Sequence, residues 1–156
     1  MSKSSGNFMT LETCIAKYGA DASRVAMADA GDTLDDANFD DKVANASIMK
    51  LFVLEGWVEK FMPKEGLDFA QDTPSENLWD NLMLNEINRA LASAKQDYEE
   101  MKYRSIIVTF NQLLSIKESY LIAREGQKND FVIIKYIEAI LSIMNPICPH
   151  FCQHVW

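Results

Sequence analysis

The sequence predicts an all-α protein built around an antiparallel helical bundle, and three observations support this. Four long segments repeat apolar residues at steps of three and four, the period of one face of a helix. Pro63, Gly126 and Pro146 stand where those periodic segments stop, as helix breakers should. No stretch alternates with period two well enough to make a strand. Long helices joined by short connections pack as antiparallel neighbours.

Taken in order, residues 1–9 are Ser-rich, with Gly6-Asn7 as a turn signal, and are expected to form a loop. Thr10 is placed to cap a short helix, Leu11 to Tyr18, that stops at Gly19. Asp21 is expected to cap a second helix that runs to Ala30 and ends at Gly31. A long helix follows from about Asp41 to Met62. Its broad apolar set, Val43, Ile48, Met49, Leu51, Phe52, Leu54, Trp57, Val58 and Phe61, predicts packing on more than one side. Pro63, Gly66 and Pro74 mark a linker. The next helix is expected from near Pro74 to about Met101, with Trp79, Met83, Ile87, Leu91, Ala94, Tyr98 and Met101 on one stripe. A third long helix, about Tyr103 to Glu125, groups Ile107, Phe110, Leu114 and Leu121. Asp130 is expected to cap a fourth, whose Ile133, Ile137, Ile140, Leu141 and Met144 face one way, and a new helix begins at Pro149.

Composition sets the outer bounds. The 156 residues are 48% hydrophobic and 24% charged, typical of a globular chain with a real core. Net charge is −8 and uneven: residues 1–78 carry −7 and residues 79–156 only −1. A protein this acidic lacks the broad positive field of a non-specific nucleic-acid binder, so RNA contact requires a local basic strip in the second half. Three cysteines, Cys14, Cys148 and Cys152, argue against a disulfide framework and for a reducing compartment. No window reaches the roughly 18–20 apolar residues of a membrane span. The first ten residues hold no apolar run of a secretory signal. The expected address is the cytoplasm, with no membrane partner.

Several patterns invite chemistry and have plainer explanations. The acidic run from Asp29 to Asp41 lacks the ligand spacing of a calcium loop and suits helix capping. Asp21 and Arg24 lie three residues apart but are expected to be structural. Cys148, His150, Cys152 and His154 offer four zinc-ligand types. At about 100° per residue the two pairs point to nearly opposite sides of a helix, which a tetrahedral ion cannot bridge, so no metal is expected.

Met1-Ser2-Lys3-Ser4-Ser5-Gly6-Asn7 resembles the signature loop of class I aminoacyl-tRNA synthetases, Lys-Met-Ser-Lys-Ser followed by Gly-Asn. The motif's first Lys has no counterpart here. Lys17-Tyr-Gly-Ala-Asp21-Ala-Ser-Arg24 resembles the segment after that loop in several such enzymes. Ala30-Gly-Asp-Thr-Leu-Asp-Asp-Ala-Asn-Phe39 and Pro146-Ile-Cys-Pro-His-Phe-Cys-Gln-His-Val-Trp156 resemble leucyl-tRNA synthetases of the archaeal and eukaryotic cytosolic type. Gln153 departs from the acidic residue expected there.

The resemblance implies a leucine–tRNA ligase. Leucine and ATP, the latter with Mg2+, give leucyl-adenylate and pyrophosphate, and the leucyl group passes to tRNA(Leu). By residue-to-residue match Lys3 is the motif's second lysine and the catalytic candidate, able to stabilise charge on the departing pyrophosphate. Met1, Ser2, Lys3 and Ser4 are the implied ATP contacts. Residues 1–40 are expected to be the loop plus a helical segment near the acceptor stem, and 41–156 a tRNA-binding bundle of the class I anticodon-binding type. Lys95, Lys102, Arg104, Lys117 and Arg124 lie on neighbouring helices and are expected to form one phosphate-binding strip. The chain opens in a functional loop and closes in an aromatic helical segment, and carries no Gly-rich phosphate loop. It is therefore expected to be a piece of a longer enzyme, inactive without its catalytic domain. The alternatives are an isoleucyl or valyl enzyme, which Ala30 to Phe39 argues against, and a free-standing helical RNA- or protein-binding module.

Overall fold

A computed structural model describes residues 8–31, 38–61, 77–125 and 127–156. All regular structure among them is helical, in the order α1 (Leu11–Tyr18), α2 (Ala20–Ala30), α3 (Asp41–Phe61), α4 (Leu78–Glu99), α5 (Tyr103–Ala123), α6 (Asp130–Met144) and α7 (Pro149–Val155). The expected signature loop and the linker residues Pro63, Gly66 and Pro74 lie outside the described residues.

Local chemistry accounts for most of the helix ends. The Thr10 hydroxyl accepts the Thr13 N–H at the start of α1. Gly19, at φ +78°, ends α1 and opens α2 in a conformation where a side chain would be strained. The Asp40 carboxylate accepts the Lys42 N–H at 2.8 Å at the head of α3. Asn77 and Asn129 cap α4 and α6 through the N–H groups of Trp79 and Phe131. Pro149 occupies the first turn of α7, where its missing N–H costs nothing. Two expected caps are corrected: Asp130 is the first helical residue of α6, behind the cap Asn129, and Asp21 lies inside α2 rather than before it.

The bundle is formed by α4 against α5 and α6, with α3 and α2 packed alongside and α7 folded back under the end of α6. Its core runs through Leu54 and Trp57 on α3, Met83 and Ile87 on α4, Ile106, Phe110 and Leu113 on α5, and nearly every turn of α6. Ten residues of α6 are buried, which makes it the central helix. A smaller core gathers Cys14, Tyr18, Ala22, Ala26 and Ala44 where α1, α2 and α3 meet. Because α2 contributes Val25 to the main core and Ala22 and Ala26 to the smaller one, it joins the first segment to the bundle.

Two expectations about buried faces differ from the structure. Ile48, Met49, Phe52 and Val53 of α3 are exposed, so among the described residues this helix packs along one side only. On α4, Trp79 and Leu91 are exposed, and Met101 lies beyond the helix end. The buried stripe is Asp80, Met83, Ile87, Ala90 and Ala94.

Asp80 is the one carboxylate in that stripe, 1% exposed. Its Oδ1 accepts the Tyr120 hydroxyl at 2.8 Å and lies 3.4 Å from Arg124 Nε, and its Oδ2 accepts the Asn129 side-chain amide at 2.9 Å. Burial, helped by the bond to Asp80, pushes the Tyr120 hydroxyl up to about 12, so it remains a donor. The group ties the start of α4, the end of α5 and the start of α6 together. Asp80→Ala is expected to destabilise the fold by about 3 kcal/mol, because it strands a partly buried cation and two polar partners. Tyr120→Phe is expected to cost about 1–2 kcal/mol. Urea unfolding of the two variants checks both values.

Candidate nucleic-acid interface

The five basic residues expected to form one strip do not lie together. Lys95, in the penultimate turn of α4, Lys102, at the α4–α5 connection, and Arg104, in the first turn of α5, are exposed at one end of the bundle. Lys117 and Arg124 belong to the other end. Arg104 and Arg124 are separated by about 30 Å of helix, and Lys117 is turned about 140° around α5 from Arg104.

That rotation places Lys117 on the core stripe of α5, with Ile106, Phe110, Leu113 and Tyr120. Its ammonium is 2.8 Å from Glu118 and sits over the Trp57 ring, 4.8 Å from the centroid. Trp57 in turn stacks on Phe61 and meets Tyr136 edge-on. Arg124 is held against buried Asp80 and donates to the Gln127 carbonyl. Both cations therefore serve the fold. A cation on an apolar stripe was the available signal: Lys117 follows Phe110 by seven residues and Leu113 by four.

The exposed end is mixed in charge. Lys102 pairs with Glu100, and Asp97 and Glu99 lie in the same turn of α4. A surface ion pair of this kind is worth under about 1 kcal/mol and exchanges readily for a phosphate. Such a surface suits a few defined phosphate contacts rather than a diffuse field.

Asp21 and Arg24 have a structural role different from the expected one. The Asp21 carboxylate accepts the Phe151 N–H at 2.6 Å and lies 2.9 Å from His150 Nδ1, so it caps α7 from across the fold. The Arg24 guanidinium donates to the carbonyls of Ile147 and Pro146, each at 2.7 Å. One turn of α2 thus holds both sides of the α6–α7 turn. Sequence spacing alone does not reveal partners more than 120 residues away.

The Cys/His set divides between inside and outside. Cys148 and Cys152 are buried, while His150 and His154 turn outward to Asp21 and Glu55. Among the described residues no group of three or more His, Cys, Asp or Glu could hold a metal ion. A cleft lined by Leu141, Ser142, Asn145, Cys152, Gln153 and Trp156 offers only the Cys152 thiol as an ionisable group. Burial, then the nearby Asp21 charge, pushes that thiol up to about 12 and Cys148 higher still, which leaves neither as a nucleophile. Met1, Ser2, Lys3 and Ser4 lie outside the described residues.

Lys95, Lys102 and Arg104 are exposed near the α4–α5 end of the helical bundle, and Lys42, Lys50, Lys60 and Arg89 are exposed elsewhere on it. The family described as "Anticodon-binding domain of tRNA ligase" matches residues 80–156. Along its whole length the chain is 36% identical to the cytoplasmic leucine–tRNA ligase of Pongo abelii, of which it covers 13%. It is also 36% identical to that of Saccharomyces cerevisiae, of which it covers 14%. A crystal structure of an Agrobacterium radiobacter K84 LeuRS, in a ternary complex with tRNA and LeuAMS, superposes on the whole chain with a TM-score of 0.75 at 19% identity; the match takes up 20% of that protein and shows the shared fold. The chain is similar to cytoplasmic leucine–tRNA ligases over its whole length, and spans about one-seventh of the length of the curated relatives it matches. No described helix is long and apolar enough to cross a membrane.

The thiols provide a test of the α2–α7 junction. An unfolded cysteine ionises near 9, whereas the folded Cys152 holds its proton to about 12. The folded state therefore binds more protons between those values, and its stability is expected to fall as pH rises through that window. Chemical unfolding at pH 8 and pH 10 should show the loss, and Cys152→Ala should make it smaller.

Proposed function

We propose that this chain is the stretch of a leucine–tRNA ligase that carries the phosphate-stabilising loop and the bundle that grips tRNA(Leu). The observation that carries the reading is the alignment with leucine–tRNA ligases over all 156 residues, including the loop residues Met1 to Ser4. The parent enzyme joins leucine to ATP, giving leucyl-adenylate and pyrophosphate, and then transfers leucine to tRNA(Leu). The relatives are named cytoplasmic, and the cytoplasm is the proposed location.

Lys3 is the proposed catalytic residue. As the bond to pyrophosphate breaks, negative charge collects on the leaving group, and an ammonium brought over it on a closing loop stabilises that charge most in the transition state. Ser2 and Ser4 donate hydrogen bonds to the phosphates, and Met1 packs near the adenine. Mg2+, which accompanies ATP, would neutralise phosphate charge when bound.

In the bundle, Lys95, Lys102 and Arg104 are the proposed phosphate contacts. Lys117 and Arg124 are left out because their charges are committed inside the fold. Among the described residues, α2 joins the first helical segment to the bundle through Val25, Ala22 and Ala26.

In the full-length polypeptide, Lys3→Ala is expected to lower leucine-dependent ATP–pyrophosphate exchange by about 100-fold or more. The 156-residue chain alone is expected to show no such exchange. A full-length enzyme that charges valine or isoleucine instead of leucine would refute the assignment. Replacing Lys95, Lys102 and Arg104 one at a time is expected to reduce the slope of log tRNA affinity against log salt by about 0.7–0.9 each. Lys117→Met should lower stability without changing that slope.

A further inference from the structure

We propose that Tyr103 is a stacking platform for an unpaired base of tRNA, with Lys102 and Arg104 holding the adjoining phosphates; this deepens the tRNA-binding reading above and rests on it. Tyr103 opens α5 at the bundle end that carries Lys95, Lys102 and Arg104, and its side chain is 43% exposed. An exposed aromatic ring with cations next to it in sequence, at the same bundle end, is a combination that single-stranded RNA binding uses. Its bases stack on the ring face and its phosphates meet the charges.

The ring is held in place before any RNA arrives. Tyr98 meets it edge-on, at 6.3 Å between centroids and 74° between planes. Tyr98 is itself fixed by its hydroxyl, which donates to the Ile143 carbonyl at 2.6 Å. Burial pushes that hydroxyl well above its ordinary range, so it stays protonated and the bond persists.

The connection before Tyr103 is equally determined. The Lys102 N–H reaches the Asp97 carbonyl at 2.8 Å and the Met101 N–H reaches that of Tyr98 at 3.2 Å, the paired bonds of a Schellman turn. Such a turn needs a left-handed residue, usually glycine, yet Met101 occupies the position at φ +57° and is 70% exposed. A rigid turn with an exposed apolar residue, an exposed ring and two cations is costly as plain surface and useful as a preorganised contact. Lys102 pairs with Glu100 at the surface, a contact of the kind worth under about 1 kcal/mol.

The test uses the full-length polypeptide that contains this chain. Tyr103→Leu keeps an apolar side chain against Tyr98 but removes the π face, and is expected to raise the KM for tRNA in leucine charging by about tenfold, the effect of one lost base–aromatic stack. Tyr103→Phe is expected to restore the parental KM. Ultraviolet crosslinking of the unsubstituted polypeptide to tRNA should place an adduct on Tyr103. An unchanged KM in Tyr103→Leu, an equal loss in Tyr103→Phe, or crosslinks confined to other segments would overturn the proposal. Leucine charging that proceeds with an unchanged KM defeats this inference alone. Absence of leucine charging in the parent polypeptide defeats the reading beneath it.

Discussion

The buried carboxylate of Asp80 joins three helices at one end of the bundle. It sits in the first turn of α4, accepts from Tyr120 near the end of α5 and from Asn129 at the cap of α6, and is balanced by Arg124. A lone buried charge would be strongly unfavourable, and here each oxygen has a donor. Asn129 holds this site and also caps α6, so the start of the central helix and the pairing of α4 with α5 are set by one polar group. The other end of the bundle is thereby left to the α4–α5 turn and its exposed cations.

A second set of polar contacts makes the first segment part of the same body. Asp21 caps α7 and Arg24 closes the α6–α7 turn, while the adjacent Val25 enters the main core. These contacts span most of the chain in sequence and join α2 to the α6–α7 end of the bundle. The α4–α5 turn is linked to this end through Tyr98, whose hydroxyl reaches Ile143 one turn from the residues that Arg24 holds. In a leucine–tRNA ligase such a framework would relate the position of the tRNA to that of the loop.

Much of the fold was legible because it follows from local rules. The stop at Gly19, the break after Met144 and the start at Pro149 each depend on one residue's backbone chemistry. The apolar period located all four long helices. The errors came where local rules had competitors. Asp21 has the chemistry of a cap for its own helix, but its partner is 130 residues away. Asp130 resembles a cap but follows Asn129, whose side chain takes the role. On α3, Met49 and Phe52 have the composition of a core yet lie on the exposed side. Within the candidate interface, the basic strip failed at Lys117 and Arg124 because charge was weighed without helical phase. Asp80 shares the stripe of Met83 and Ile87, and only that helical phase marks it as buried. The role of Tyr103 depends on the Tyr98 contact and on a left-handed Met101, neither of which a period of apolar residues encodes.

The most direct test of the account is covalent lysine footprinting of the full-length polypeptide with and without tRNA(Leu). Lys95 and Lys102 should be modified readily in the free protein and protected when tRNA binds, while Lys117, enclosed by Trp57 and the core, should resist modification in both states. Equal labelling of Lys95 and Lys102 in the two states would contradict the assignment of the α4–α5 end of the bundle as the surface that holds the RNA.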